Sequence, residues 1–217
     1  MTRTSHPTQV SRRRRGAALI MGAVCMICAA ACALIPSEAP TPTPTPQATL
    51  AEDYRVCHLI TAGDLSAQVG SSIKKDYYGG YASSPADAFM HCTALLDGPI
   101  FADLVIEYNG SGYTFLTLDT GNDPSYDELA ALEGTTPLTI DGLEGEGITM
   151  RANGRTIAAW HYPDDHVLTI TITPILTKRD QAPDRTELVT DLVTQLATPI
   201  AELAANSMTP QPTTPTP

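Results

Sequence analysis

The clearest alternation of apolar and polar positions lies in RTIAAWHYPDDHVLTITITP, residues 155–174. Two runs rich in β-branched and aromatic residues flank a Pro-Asp-Asp turn, which is typical of a β-hairpin. In the second run three large apolar side chains alternate with three threonines, in the order Leu168, Thr169, Ile170, Thr171, Ile172 and Thr173. Because side chains alternate across a strand, the apolar residues share one face and the threonines the other. We therefore expect a buried apolar face and a solvent-facing threonine face.

Turn and cap residues divide the rest of the folded region. Thr61 followed by Asp64 is typical of a helix start, and Gly70 is a stop signal for the same helix. Asn153-Gly154 predicts a two-residue hairpin turn. Strands are predicted over residues 71–81, 90–96, 101–108 and 147–151, another strand or a strand-like extension over 113–118, and a short helix over residues 123–132.

The last periodic segment predicts a long helix over residues 184–205. Its apolar stripe consists of Leu188, Leu192, Leu196 and Leu203. Pro199 lies inside this helix and is expected to bend or break it. Together the patterns predict an α+β fold. A single antiparallel sheet of five or six strands would carry a short N-terminal helix and the long C-terminal helix on one face.

The first 35 residues have the composition of an export signal or a membrane anchor. Four arginines at 12–15 precede an uncharged apolar stretch, residues 16–35, with small residues before Cys32. In bacterial lipoproteins the residue after the cut is a lipidated cysteine, and Cys32 is the best placed of three candidates. An uncleaved single-pass anchor stays open, because 20 apolar residues just span a bilayer core. Full secretion also stays open, and all three place the rest of the chain outside the cell membrane.

Proline and threonine dominate the segments on either side of the folded region. Residues 36–49 alternate Pro and Thr, which predicts an extended linker about 43 Å long. Residues 208–217 have the same composition and predict a disordered tail, and both tracts are candidates for O-glycosylation. The expected organisation is a signal or anchor over 1–35, a linker over 36–49, one domain over 50–207 and the tail.

Charge is distributed unevenly along the chain. Five of the 13 basic residues precede residue 16, whereas all 24 acidic residues follow it, so the remainder has a formal net charge of −16. A charge of this sign disfavours nucleic acid and anionic membrane surfaces as partners. It favours solubility and, at most, cationic ligands or divalent ions as partners. We expect contact with the membrane only through the lipid anchor or the uncleaved signal.

Cys57 and Cys92 are the only cysteines in the predicted domain. In an exported protein two such cysteines most simply form a disulfide, which would close a loop of about 35 residues. The dipeptides Cys57-His58 and His91-Cys92 also contain the ligand types of a Cys₂His₂ zinc site. Adjacent residues on an extended chain point to opposite sides, so the spacing favours the disulfide.

The predicted hairpin carries His161 and His166 on either side of its turn. They could approach each other as a weak metal patch, or they could be separate surface residues that titrate near neutral pH. Ser111 lies in a sequence that lacks the first glycine of a G-x-S-x-G elbow, and there is no phosphate-binding or dinucleotide motif. We predict no catalytic residues, no metal and no cofactor, and we do not expect an enzyme.

The segment CHLIT, residues 57–61, the glycine at 70 and Cys92 resemble a family of actinobacterial cell-envelope lipoproteins of unknown function. The similarity extends through TIDGLEGEGITM to the C-terminal helix, over roughly residues 55–205. Members commonly have Trp two residues after the second cysteine, where this chain has Ala94. The resemblance implies an extracytoplasmic, lipid-anchored domain without enzymatic activity, and it assigns no catalytic residues.

Three functions remain open. The first is a binding or sensing domain for an envelope protein, a glycan or a small ligand; the others are a structural envelope component and a hydrolase with a non-standard site. Convergence of His161 with Asp103 or Asp119 in a cleft would favour an enzyme. Binding would be favoured by a pocket that contains several of three tyrosines, Tyr108, Tyr113 and Tyr126.

Overall fold

The computed structural model describes residues 49–81, 88–116 and 123–207, which lie within one compact unit, Thr45–Pro217. The predicted signal or anchor with Cys32, all but the last residue of the linker, the tail and Asp119 lie outside the described residues. The elements in chain order are β1 Arg55–Val56, β2 Ile60–Thr61, α1 Ala62–Val69, β3 Ser72–Tyr81, β4 Phe89–Asp97, β5 Phe101–Asn109, α2 Tyr126–Ala130, β6 Thr136–Leu138, β7 Glu146–Ala152, β8 Arg155–His161, β9 Val167–Pro174, a 3-10 helix Leu176–Gln181 and α3 Thr186–Ser207.

Seven strands form one antiparallel sheet in the order β3-β4-β5-β9-β8-β7-β6, while β1 and β2 form a separate two-stranded sheet. The α+β class and the antiparallel sheet are confirmed, but the predicted count of five or six strands is wrong. The edge strand β6 has only three residues, which is too short to produce a recognisable alternation. The predicted strand at 113–118 is absent from residues 113–116, where an isolated bridge joins Tyr113 to Ser125.

The first face of the sheet carries the larger hydrophobic core. Strand β9 is the central strand, and its Leu168, Ile170 and Ile172 are all fully buried. They share this core with Leu192 and Leu196 of α3. Helix α1 contributes to the same core, so the short N-terminal helix and the long C-terminal helix pack on one face as expected.

The second face is not the solvent-exposed surface that the threonines predicted. Thr169 and Thr171 are 1% and 2% exposed. A second hydrophobic cluster packs on this side and includes Tyr126 and Leu129 of α2, so a helix lies on this face as well. The prediction of an exposed threonine face is therefore wrong, because a segment distant in sequence covers part of it.

Capping explains where the helices begin. The amide of Asp64 donates to Thr61 Oγ1 at 3.1 Å, which caps α1 as the sequence predicts. Helix α2 starts at a capping box in which Ser125 and Glu128 bond reciprocally, and it is shorter than the predicted 123–132. Helix α3 continues through Pro199 without a break, so it is not divided into two.

Cys57 and Cys92 form a disulfide with their Cα atoms 5.9 Å apart, consistent with the pairing expected from the sequence. The bridge joins the β1–β2 turn to β4 and lies in the first-face core. It therefore ties the start of the domain to the sheet.

Candidate functional site

The two histidines of the hairpin do not come together. His161 pairs with Val167 across β8 and β9, while the amide of Tyr162 donates to the His166 carbonyl at 2.8 Å. His166 is therefore the neighbour of Val167, the residue that His161 faces. Because side chains alternate along a strand, those of His161 and His166 lie on opposite faces of the sheet. The predicted metal patch is not assembled.

His161 lies between two carboxylates on the second face. Its Nε2 is 3.0 Å from Asp165 Oδ1, and its Nδ1 is 3.6 Å from Glu146 Oε1. Its ring stacks on Tyr126 with the centroids 4.8 Å apart. Because the carboxylates contact opposite ring nitrogens, the histidine bridges two acids and does not share a metal-binding centre with them.

Close packing of a glycine-rich loop brings Glu146 to this position. Gly145 has φ of +138°, and a Cβ there would lie 2.9 Å from Nε1 of the buried Trp160. Only glycine fits both the backbone conformation and the approach to the indole. The loop is thereby held against β8, and the next residue, Glu146, starts β7 opposite His161.

Three adjoining depressions of about 320, 180 and 400 Å³ lie in this part of the surface, and His161 lines the first two. Each depression shares lining residues with the other two, which shows that they are adjacent. We call the combined surface the hairpin groove and define it by the residues that line two of the three depressions, namely Tyr126, Asp127, Gly145, Glu146, His161 and Asp165.

The hairpin groove is acidic and partly aromatic. Tyr113 and Tyr126 both line its smallest depression, beside His161. Burial raises the pKa of Tyr126 to about 12, and the charges of Glu146 and Asp127 act in the same direction. Tyr126 therefore stays a neutral phenol at physiological pH, with carboxylates on both sides of it.

His166 belongs to a separate aromatic cluster on the first face. It is buried and stacks on Tyr108 at 4.8 Å, and Tyr108 contacts Tyr162 edge-on at 5.6 Å. The hydroxyl of Tyr162 donates to the Ala197 carbonyl at 2.6 Å, so this cluster anchors the hairpin to α3. His166 Nδ1 is 3.1 Å from Asp164 Oδ1, but not in hydrogen-bonding geometry.

A second concave site, which the sequence did not predict, lies over β4, β5 and β9. Here His91 Nδ1 is 3.2 Å from Oε1 of the buried Glu107, and His91 Nε2 is 3.0 Å from Thr93 Oγ1. The hydrogen bond to Glu107 raises the pKa of His91, and burial opposes that shift. His91 is thus fixed by contacts on both ring nitrogens.

This second site is a depression of about 290 Å³, which we call the sheet cleft. Burial raises the pKa of Asp103 in the cleft, while a hydrogen bond from Thr173 and the charge of Arg155 lower it. The cleft is lined by His91, Asp103, Val105, Glu107, Phe115, Leu116, Arg155, Thr171 and Thr173.

A sequence signal for the sheet cleft does exist. His91 and Glu107 are direct cross-strand partners in the β4–β5 hairpin. Both strands are predicted from the sequence, and in the structure they are symmetric about Pro99, so residues equally distant from that position face each other. The pairing of residues 91 and 107 follows from that register. The residues that β8 and β9 add to the lining of the cleft do not follow from it.

The histidines beside the disulfide do not complete a zinc site. His58 contacts Tyr78 edge-on at 4.9 Å, and His91 points to the face opposite Cys92. Within 49–81, 88–116 and 123–207 there is no cluster of three or more His, Cys, Asp or Glu side chains arranged to hold a metal. Asp103 lies in the sheet cleft and does not meet His161.

Comparisons of the chain with protein-family models, with curated proteins and with solved structures give no significant match. The resemblance to actinobacterial envelope lipoproteins therefore stays a prediction. Of the helices in the described part of the chain, none is both long enough and apolar enough to cross a membrane.

Proposed function

We propose that this chain is an exported, lipid-anchored protein of the cell envelope whose domain, residues 50–207, binds a cationic ligand or the cationic segment of a partner. The arginine-led apolar N-terminus and Cys32 support the export and the anchor. The linker over 36–49 would hold the domain away from the membrane.

The single observation that carries the binding function is the hairpin groove. Tyr113 and Tyr126 converge beside His161, which is the aromatic convergence expected of a binding domain. Glu146 and Asp165 supply carboxylates that are mostly exposed and therefore accessible to a ligand. A cationic group can contact an aromatic face and a carboxylate at once, which favours an ammonium or guanidinium ligand.

A fluorescent tetralysine peptide tests this function by fluorescence anisotropy. The full chain in a zwitterionic detergent should bind tetralysine and not tetraglutamate, more weakly as salt increases. The double variant Glu146→Gln/Asp165→Asn should weaken binding by roughly tenfold. The control Asp53→Asn/Asp180→Asn removes the same charge from two exposed positions outside the groove and should leave binding nearly unchanged.

Equal losses in the two double variants would show that tetralysine follows only net charge, which would refute the groove as its site. No binding at low salt would instead favour a structural envelope component.

A hydrolase is the second candidate, and one observation favours it. Thr93, His91 and Glu107 follow one another in the hydroxyl–imidazole–carboxylate order of a catalytic triad. Thr93 is not among the residues that line the sheet cleft, which weighs against a nucleophile directed into it. Hydrolysis of p-nitrophenyl acetate that is lost in His91→Gln would support the hydrolase, and a rate equal to buffer would exclude it for this ester.

A further inference from the structure

The sheet cleft is separate from the hairpin groove and has a floor of polar side chains. Strand β9 crosses this floor at Thr171, whose cross-strand partner on β5 is Val105. Phe115 lines the cleft and is 42% exposed, so an aromatic surface is accessible beside the polar floor. An apolar wall with convergent polar groups is the usual composition of a small-molecule site.

The floor contains polar atoms whose hydrogen bonds are unmade. Thr171 is 2% exposed, and its Oγ1 has no hydrogen-bond partner among the described residues. Oδ1 of Asp103 is likewise buried and without a partner in this part of the chain. Leaving such groups unpaired is unfavourable, so a ligand that supplies a hydroxyl to each would recover these interactions once the side chains that cover the two oxygens shift.

The charges of the cleft indicate which ligand it would take. Asp103 and Glu107 are acidic, whereas Arg155 is basic and His91 is held beside Glu107 with a raised pKa. The two signs nearly balance, unlike the strongly acidic chain as a whole. An anion would meet the carboxylates and an organic cation would meet the guanidinium, so a neutral ligand with several hydroxyl groups fits both.

We propose that the sheet cleft is a saccharide-binding site. The carboxyl of Asp103 accepts hydrogen bonds from sugar hydroxyls, and Thr171 both donates and accepts. Phe115 lies against the C–H face of the ring, which is apolar. The volume of about 290 Å³ suits one sugar unit, with the half-exposed rim left for the rest of a glycan.

Ligand-observed saturation-transfer NMR tests this site with D-glucose, D-galactose, D-mannose and N-acetyl-D-glucosamine as probes. The full chain is used in a zwitterionic detergent, because detergents with sugar headgroups would compete. At least one sugar should bind, and Thr171→Val should weaken its affinity by roughly tenfold. Phe115→Ala should weaken it as well.

Thr169→Val is the matched control. Thr169 lies on the same strand and face, is 1% exposed and also has an unpartnered Oγ1, but it does not line the cleft. It should leave sugar affinity unchanged, as should Glu146→Gln/Asp165→Asn in the hairpin groove. Sugar binding that survives those acidic variants supports this site whether or not tetralysine binds the groove.

Three outcomes would overturn the proposal. The first is that none of the four sugars gives a saturation-transfer signal at up to about 50 mM, well beyond the weak affinities usual for small ligands. The second is an equal loss of sugar affinity in Thr171→Val and Thr169→Val. The third is competition of tetralysine, and not of a second sugar, for the bound probe.

Discussion

Truncation of Ile170 tests the central packing of the sheet. Ile170 is fully buried at the middle of the central strand, between its cross-strand partners Ile106 and Ala158. Its side chain shares the first-face core with Leu192 of α3. Ile170→Ala removes three carbon atoms from this contact and leaves a cavity there.

The size of the expected loss follows from this environment. Substitution of a buried isoleucine by alanine typically costs about 2–5 kcal/mol, and the cost increases with the cavity that remains. The side chain of Ala158 is too short to fill the cavity. Because β9 is hydrogen-bonded to a strand on each side, the backbone cannot close it either. We therefore expect a loss of about 3–5 kcal/mol, a large part of the stability of a typical domain.

Urea denaturation of residues 50–207 with the disulfide intact measures this loss. The midpoint should fall without a change in the slope of the transition. Thr171→Val, one residue away, replaces an unpartnered buried hydroxyl by a methyl group and should leave stability unchanged or raise it by about 1 kcal/mol. A loss below about 1 kcal/mol for Ile170→Ala, or a larger loss for Thr171→Val, would refute the assignment of the two faces.

The remaining predictions concern the anchor, the disulfide and one histidine. Cys32→Ala should abolish lipid labelling; an intact, unmodified wild-type peptide over residues 25–40 in mass spectrometry would contradict the lipid anchor. Reduction of the Cys57–Cys92 bridge should destabilise the domain by roughly 2–4 kcal/mol in urea, and two free thiols in air-oxidised protein would contradict the bridge. Because Glu107 raises the folded-state pKa of His91 above 6.5, the stability that His91 adds over His91→Gln should be greatest below pH 6.5 and decline as pH rises through the folded pKa. Equal differences in urea midpoint across that range would contradict this coupling.

The strands and helices were predictable where a local pattern extends over a whole element. The alternation in β9 identified the apolar residues of the first-face core, and the leucine spacing identified α3. Thr61 and the Asn153-Gly154 turn are equally local, and both occur where expected, with φ of 52° and 76° in the turn. Local signals of this kind depend on neighbours within a few residues.

The surroundings of the threonines and histidines depend on distant segments and were not predictable in the same way. Thr169 is buried on the second face, where α2 also packs, and nothing in the sequence of β9 specifies that this face is covered. His161 and His166 flank one turn, yet a single step in register places them on opposite faces. Tertiary packing therefore determines the surroundings of these threonines and histidines, whereas the strands that contain them could be predicted from the sequence.

An unpartnered threonine hydroxyl is not by itself a sign of a ligand. Thr169 and Thr171 are both almost completely buried, and Oγ1 of each has no hydrogen-bond partner in the described part of the chain. Only Thr171 lines a concavity, together with Asp103 and Phe115. The two valine substitutions remove the same atom from the same face, so their effects on stability should be similar. A difference between them in sugar affinity, without a difference in stability, can therefore come only from the cleft.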